Sequence, residues 1–142
     1  MSIVFDTEAL LAFYLGEQGG KEVEKRLVKI TKGEIRGYLN LINLTELYYI
    51  LYRRSPDLAE EKERNLRGYG LEIVPVDDNG LWKEAAKAKG RCALSLADVF
   101  AVATAKVKKA NLLVGRDAEF DGLDVSIERI SQERAQVARL LV

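Results

Sequence analysis

Histidine is absent from this chain and cysteine occurs once, at Cys92. The first absence removes the commonest general base and transition-metal ligand, and with them any Ser-His-Asp triad. A single cysteine excludes an intramolecular disulfide and a cysteine-based zinc site. Net charge is missing too: 22 Lys and Arg balance 22 Asp and Glu, so any contact with nucleic acid is local rather than a bulk-charge effect. No apolar run approaches the ~20 residues that span a bilayer. Residues 1–6 have neither a basic n-region nor a long apolar stretch, which argues against a secretory signal and predicts a cytoplasmic protein. Linkers, repeats and low-complexity tracts are also lacking, and the 142 residues read as one domain.

What is present is a globular composition, 48% hydrophobic and 31% charged, patterned in alternation. Short apolar runs at residues 2–5, 38–41, 71–76, 111–115 and 125–130 predict strands. Stretches of helical period lie between and after them, at 8–15, 21–30, 44–54, 57–67, 79–89, 96–109 and 132–141. Leu44, Leu47, Tyr48, Leu51 and Tyr52 give the clearest such pattern, with more aromatic surface than one sheet contact needs; the remainder suits a dimer face or a groove for a partner helix. Strand–helix alternation predicts an α/β fold of three layers, a central, mainly parallel sheet flanked by helices.

In such a sheet ligands bind beyond the carboxyl ends of the strands. Acids recur there. Asp6 follows the first strand, Glu46 opens the helix after the second, Asp98 lies in the first turn of the alanine-rich helix, and Asp117 follows the fourth strand. Each alone also fits a capping role: Asp6 as an N-cap, with Asn43 to Glu46 and Ser95 to Asp98 at capping-box spacing. Together they repel one another unless a cation sits between them. Oxygen-only ligands select hard cations, Mg²⁺ or Mn²⁺, and two such ions roughly 4 Å apart hold a phosphodiester and activate water for in-line attack.

The order of these motifs resembles a PIN domain of the VapC-like toxin branch: a short strand ending in Asp6, N-L-T-E at 43–46, S-L-A-D at 95–98, and an apolar strand entering R-D-x-x-F at 116–120. The resemblance covers essentially the whole chain. It implies the PIN fold and Mg²⁺- or Mn²⁺-dependent endoribonuclease activity, with Asp6, Glu46, Asp98 and Asp117 as the catalytic and metal-binding quartet. It also implies a homodimer held inactive by an antitoxin protein. The chain departs from the pattern at Gly115, where the family often carries Thr or Ser.

Thr7, Thr45 and Ser95 are candidate hydroxyls to orient the acids from behind, with helix capping as their ordinary alternative. Arg116, beside Asp117, and Arg91, in the run Lys83, Lys87, Lys89 and Arg91, are candidate RNA contacts. Glu119 and Asp121 fit a surface turn better than an outer ligand shell. Two other functions share the acid pattern. An acid-pocket phosphotransfer or receiver-like domain needs paired acids near the first strand and a Lys after a later one, whereas Asp6 stands alone. A catalytically degenerate RNA- or protein-binding PIN domain is the third reading, and retention of all four acids argues against it.

Overall fold

The computed structural model describes residues 1–115, 120 and 122–130. Five strands, β1 (Ser2–Phe5), β2 (Arg36–Asn40), β3 (Glu72–Val74), β4 (Asn111–Val114) and β5 (Ile127–Arg129), form one sheet in the order β3-β2-β1-β4-β5. Every described pairing is parallel. The helices are α1 (Thr7–Tyr14), α2 (Gly20–Thr31), α3 (Leu41–Arg54), α4 (Pro56–Gly68), α5 (Asn79–Arg91) and α6 (Leu96–Lys108). The predicted terminal helix at 132–141 lies outside the described residues.

Side-chain alternation explains the layers. Ile3, Phe5, Leu39 and Leu113 point to one face, where they meet Leu10, Leu27, Leu47 and Leu66 of α1 to α4. Val4, Tyr38, Leu112 and Val114 point to the other, against Leu81, Ala85, Val99 and Val102 of α5 and α6. Burying one such aliphatic or aromatic side chain contributes roughly 1.5–3 kcal/mol. Helix α6 is buried nearly all round, and its alanines let it pack closely against the sheet and α5.

Four sequence boundaries shift for local reasons. Helix α3 begins at Leu41, three residues before the predicted start, because buried Asn40 caps it: Ile42 N donates to Asn40 Oδ1 at 2.8 Å. Strand β2 accordingly runs over Arg36–Asn40 rather than 38–41. Strand β3 stops at Val74, before Pro75, which has no N–H for a ladder. Helix α4 begins at Pro56, one residue before the predicted 57–67, with Ser55 Oγ accepting from Leu58 N at 3.4 Å.

Of the glycines, Gly37 leaves the least room for a side chain. A Cβ there would run into Ile30 Cδ1 and stand 2.6 Å from Leu71 Cδ2. Gly37→Ala should therefore destabilise the fold by ~1–3 kcal/mol, the usual cost of overpacking. Urea unfolding checks this, and Ile30→Val, which removes the clashing methyl, should return part of the loss in a double-mutant cycle.

Candidate active site

The strand order reverses direction between β1 and β4, which makes their carboxyl ends the natural ligand crevice of the sheet. Asp6 occupies that point. Its backbone N–H donates to the Leu113 carbonyl at 2.9 Å, carrying the β1–β4 ladder one residue past the strand. It then stands in extended conformation at the N-cap position of α1, yet its side chain makes no capping hydrogen bond. The residue is 2% exposed, and Oδ1 is buried with no hydrogen-bond partner. An ordinary cap engages its carboxylate. Asp6 leaves Oδ1 without a partner, so capping by the nearby Glu8 N–H does not account for the whole carboxylate.

Burial holds the Asp6 carboxyl well above the usual carboxylate range, and the negative charges of Asp98, Glu46 and Glu8 push it further in the same direction. The nearby Glu8 backbone N–H works against them. Acids from three helices, Glu8 on α1, Glu46 on α3 and Asp98 on α6, thus bear on one buried carboxylate. Asp98 is half-buried at the third position of α6 and closes a capping box with Ser95: Ser95 N donates to Asp98 Oδ2 at 3.3 Å and Asp98 N donates to Ser95 Oγ at 3.2 Å. Its role in the helix cap and its place beside Asp6 coexist, since a carboxylate has acceptor capacity beyond one bond. Glu46 is half-buried, without a hydrogen bond or ion pair among the described residues, in the second turn of α3 rather than at its opening. Its expected capping box with Asn43 does not form, because Asn40 is the cap.

Asp117 and Arg116 lie outside the described residues, as do Glu119 and Asp121. Among the described residues no three acidic or cysteine side chains are grouped as a ready-made ligand set. The acids share an electrostatic field around Asp6, and they do not form a closed cage. The donor set nevertheless suits a hard divalent cation: it is all oxygen, and the unpartnered, buried Asp6 Oδ1 needs a positive partner or a proton.

The hydroxyls separate. Thr7 Oγ1 is buried beside Asp6, where it donates to the Asn43 carbonyl at 3.3 Å and accepts from Asn43 Nδ2 at 3.2 Å. Ser95 serves the α6 cap. Thr45 Oγ1 donates to the Leu41 carbonyl at 2.8 Å, an exposed bond within its own helix. Of the cation run on α5, Lys87 pairs with Glu84 at 3.7 Å and Lys89 donates to the Leu94 carbonyl at 2.7 Å. Lys83 lies over the Trp82 ring. Arg91 lines a cavity with Glu84, Cys92, Lys106 and Asp124, and none of the acids around Asp6 borders it.

Glu8 is the acid that sequence reading passed over. Gly115 is buried at the end of β4, and a Cβ there would stand 2.7 Å from both Cγ and Cδ of Glu8. The room that the family's hydroxyl-bearing residue would occupy is filled from across the crevice by Glu8. The signal available in the sequence was the pairing of an unexpected glycine with an extra acid in the first turn of α1.

A parallel α/β fold with acids at its switch point is the architecture of a known family. The PIN domain family's profile matches residues 3–125, and the chain belongs to that family. No curated protein matches it by sequence. Among solved structures, the fold is similar to a toxin–antitoxin complex from Klebsiella pneumoniae, with TM-score 0.70 and 16% identity over 89% of this chain and 95% of that one. It is also similar to VapBC2 from Rickettsia felis bound to a promoter DNA fragment, with TM-score 0.72 and 15% identity over 92% and 100%. FitAcB from Neisseria gonorrhoeae gives TM-score 0.65 and 21% identity over 88% and 95%. No helix of the described residues is long and apolar enough to cross a membrane.

The raised Asp6 pKa has a consequence for stability. An Asp that holds its proton more tightly when folded binds more protons in the native state than in the unfolded one, so stability falls as pH rises from the unfolded value near 4 toward the folded one. Above that window the ionised carboxylate destabilises the metal-free fold. Asp6→Asn should therefore raise Tm in EDTA at pH 7 by at least about 2 °C, what ~1 kcal/mol produces in a domain of this size. The gain should disappear below about pH 4, where both states are protonated. A thermal-melt series over pH reads both effects.

Proposed function

We propose that this chain is a Mg²⁺- or Mn²⁺-dependent endoribonuclease and the toxin of a toxin–antitoxin pair. The observation that carries the reading is Asp6: a carboxylate buried at the β1–β4 switch point, one oxygen unpartnered, with Asp98 and Glu46 adding like charge. Membership of the PIN domain family supports it, as does likeness in fold to structures described as toxin–antitoxin complexes.

Asp6, Glu46 and Asp98 are the residues that would hold the cation, with Asp117 as the fourth from its position in the sequence. A bound divalent ion supplies charge neutralisation, attraction for a phosphodiester and a water of lowered pKa. The chain's own part is to keep these carboxylates close in spite of their repulsion and to shield Asp6 from bulk water, because attraction for a cation is stronger at lower dielectric. Arg116, next to Asp117, is the residue assigned to a phosphate of the RNA. Arg91 is a weaker candidate, because the cavity it lines is not bordered by the acids.

An antitoxin protein as inhibitor follows from the same likeness; RNA as substrate and a second copy of the chain are further parts of the proposal. Helix α3 supports the homodimer. Leu47 and Leu51 are its buried face, while Leu41, Tyr49 and Tyr52 are 40%, 44% and 52% exposed. Tyr52 stacks on Tyr48 with ring centroids 6.1 Å apart, and Arg53 lies 5.0 Å over the Tyr49 ring, so this apolar surface is held in shape.

Purified protein should cleave RNA with Mn²⁺ or Mg²⁺, EDTA should abolish cleavage, and Asp6→Asn or Asp98→Asn should lower kcat/KM at least ~100-fold. Cleavage that survives EDTA and both substitutions sinks the metal mechanism. Transfer of phosphate onto an Asp would instead favour the receiver-like reading. Light scattering tests the dimer: a Tyr49→Glu, Tyr52→Glu double variant should halve the molar mass, and a wild-type monomer at micromolar concentration removes this face from consideration.

A further inference from the structure

We propose that Asn43 is a positioning residue that sets the spacing of Asp6, Glu46 and Asp98, an inference resting on the metal-site reading above. Asn43 is fully buried. Its Nδ2 donates to Thr7 Oγ1 at 3.2 Å and to the Ala97 carbonyl at 3.1 Å, and its main-chain carbonyl accepts from Thr7 Oγ1 at 3.3 Å. Chemistry fixes this orientation of the amide. The Ala97 carbonyl only accepts, so the nitrogen must face it, and Thr7 directs its one proton to the Asn43 carbonyl and accepts the other Nδ2 hydrogen.

Each bond lands beside an acid. Thr7 follows Asp6, Ala97 precedes Asp98, and Glu46 lies on α3 close to one turn beyond Asn43 itself. One side chain therefore references the starts of α1 and α6 to α3 at the level of the carboxylates. Helices joined only by apolar contacts slide by fractions of an ångström at little cost, whereas hydrogen bonds of this geometry fix distance and angle.

A second observation separates this tie from ordinary buried scaffolding. Asn43 Oδ1 is itself buried and without a partner, like Asp6 Oδ1. Buried acceptors normally find a donor. Two that do not, on side chains linked through Thr7 and its neighbour, leave the interior of the site short of positive or donor groups, as a site built to receive a cation would be.

The test uses Asn43→Leu, which removes both donors at similar size, together with Thr7→Val, Thr7→Ser and, as a core control on α2, Leu27→Val. Each protein is titrated with Mn²⁺ by calorimetry and melted in EDTA. Asn43→Leu and Thr7→Val should weaken Mn²⁺ binding ~10–100-fold, the usual effect of losing a group that orients ligands. Thr7→Ser should stay close to wild type, and Leu27→Val should lower Tm with unchanged affinity. Equal affinity in wild type, Asn43→Leu and Thr7→Val, with only Tm reduced, overturns the positioning role. So does a loss in Leu27→Val as large as theirs, since affinity would then follow global stability. If Asn43→Leu does not fold, the Thr7→Val and Thr7→Ser pair decides. Absence of Mn²⁺ binding by the wild type refutes the metal-site reading first, and this inference with it, whereas binding shared by all variants overturns this inference alone.

Discussion

The candidate site is arranged around a carboxylate that the fold buries and satisfies only in part. Asp6 is 2% exposed, with one oxygen unpartnered. Withdrawing such a group from water without a hydrogen bond costs several kcal/mol as a neutral group and more as an anion. Against a net stability of about 5–15 kcal/mol for a typical domain, that cost has to be offset by the rest of the packing. The two apolar layers provide the offset: Ile3, Val4 and Phe5, the residues leading to Asp6, are all fully buried, and the ladder bond from Asp6 N to Leu113 O fixes the backbone.

Parallel topology makes this placement possible. Each parallel strand returns through a helix, so helix starts collect at one edge of the sheet, and the N-terminal ends of helices favour negative charge. Asp6 and Asp98 take that benefit at the starts of α1 and α6. Dipoles of this kind contribute only ~0.3–1 kcal/mol each at exposed sites. They moderate the repulsion among the acids without removing it: burial is the main cause that raises the Asp6 pKa, and the charges of Asp98, Glu46 and Glu8 add to it.

Much of the fold was legible because its signals are local. Strands were readable where β-branched and aliphatic residues run together, as in β1 and β4, and helices where period and punctuation agree, as at Ser55-Pro56 and Ser95 to Asp98. The start of α3 was not, because the residues that follow Asn40, Leu41 and Ile42, look like a continuing strand, and the cap that ends it acts from within the buried core. Of the site, the meeting of Asp6, Asp98 and Glu46 followed from topology. The contributions of Asn43 and Glu8 depend on tertiary contacts over long separations, Asn43 to Thr7 and Ala97, and Glu8 to Gly115, which no local pattern encodes.

Gly115 and Glu8 show how one part of an acidic crevice can stand in for another. A side chain at 115 would project from the end of β4 into the crevice, and here that volume belongs to Glu8, reaching over from α1. The exchange replaces a neutral group near the acids with a charged one. It adds to the field that raises the Asp6 pKa, so ionisation there is less favourable, and a cation, if bound, would be correspondingly more stabilising. A glycine that looks like a loss in the sequence is, in the fold, the vacancy that admits another carboxylate.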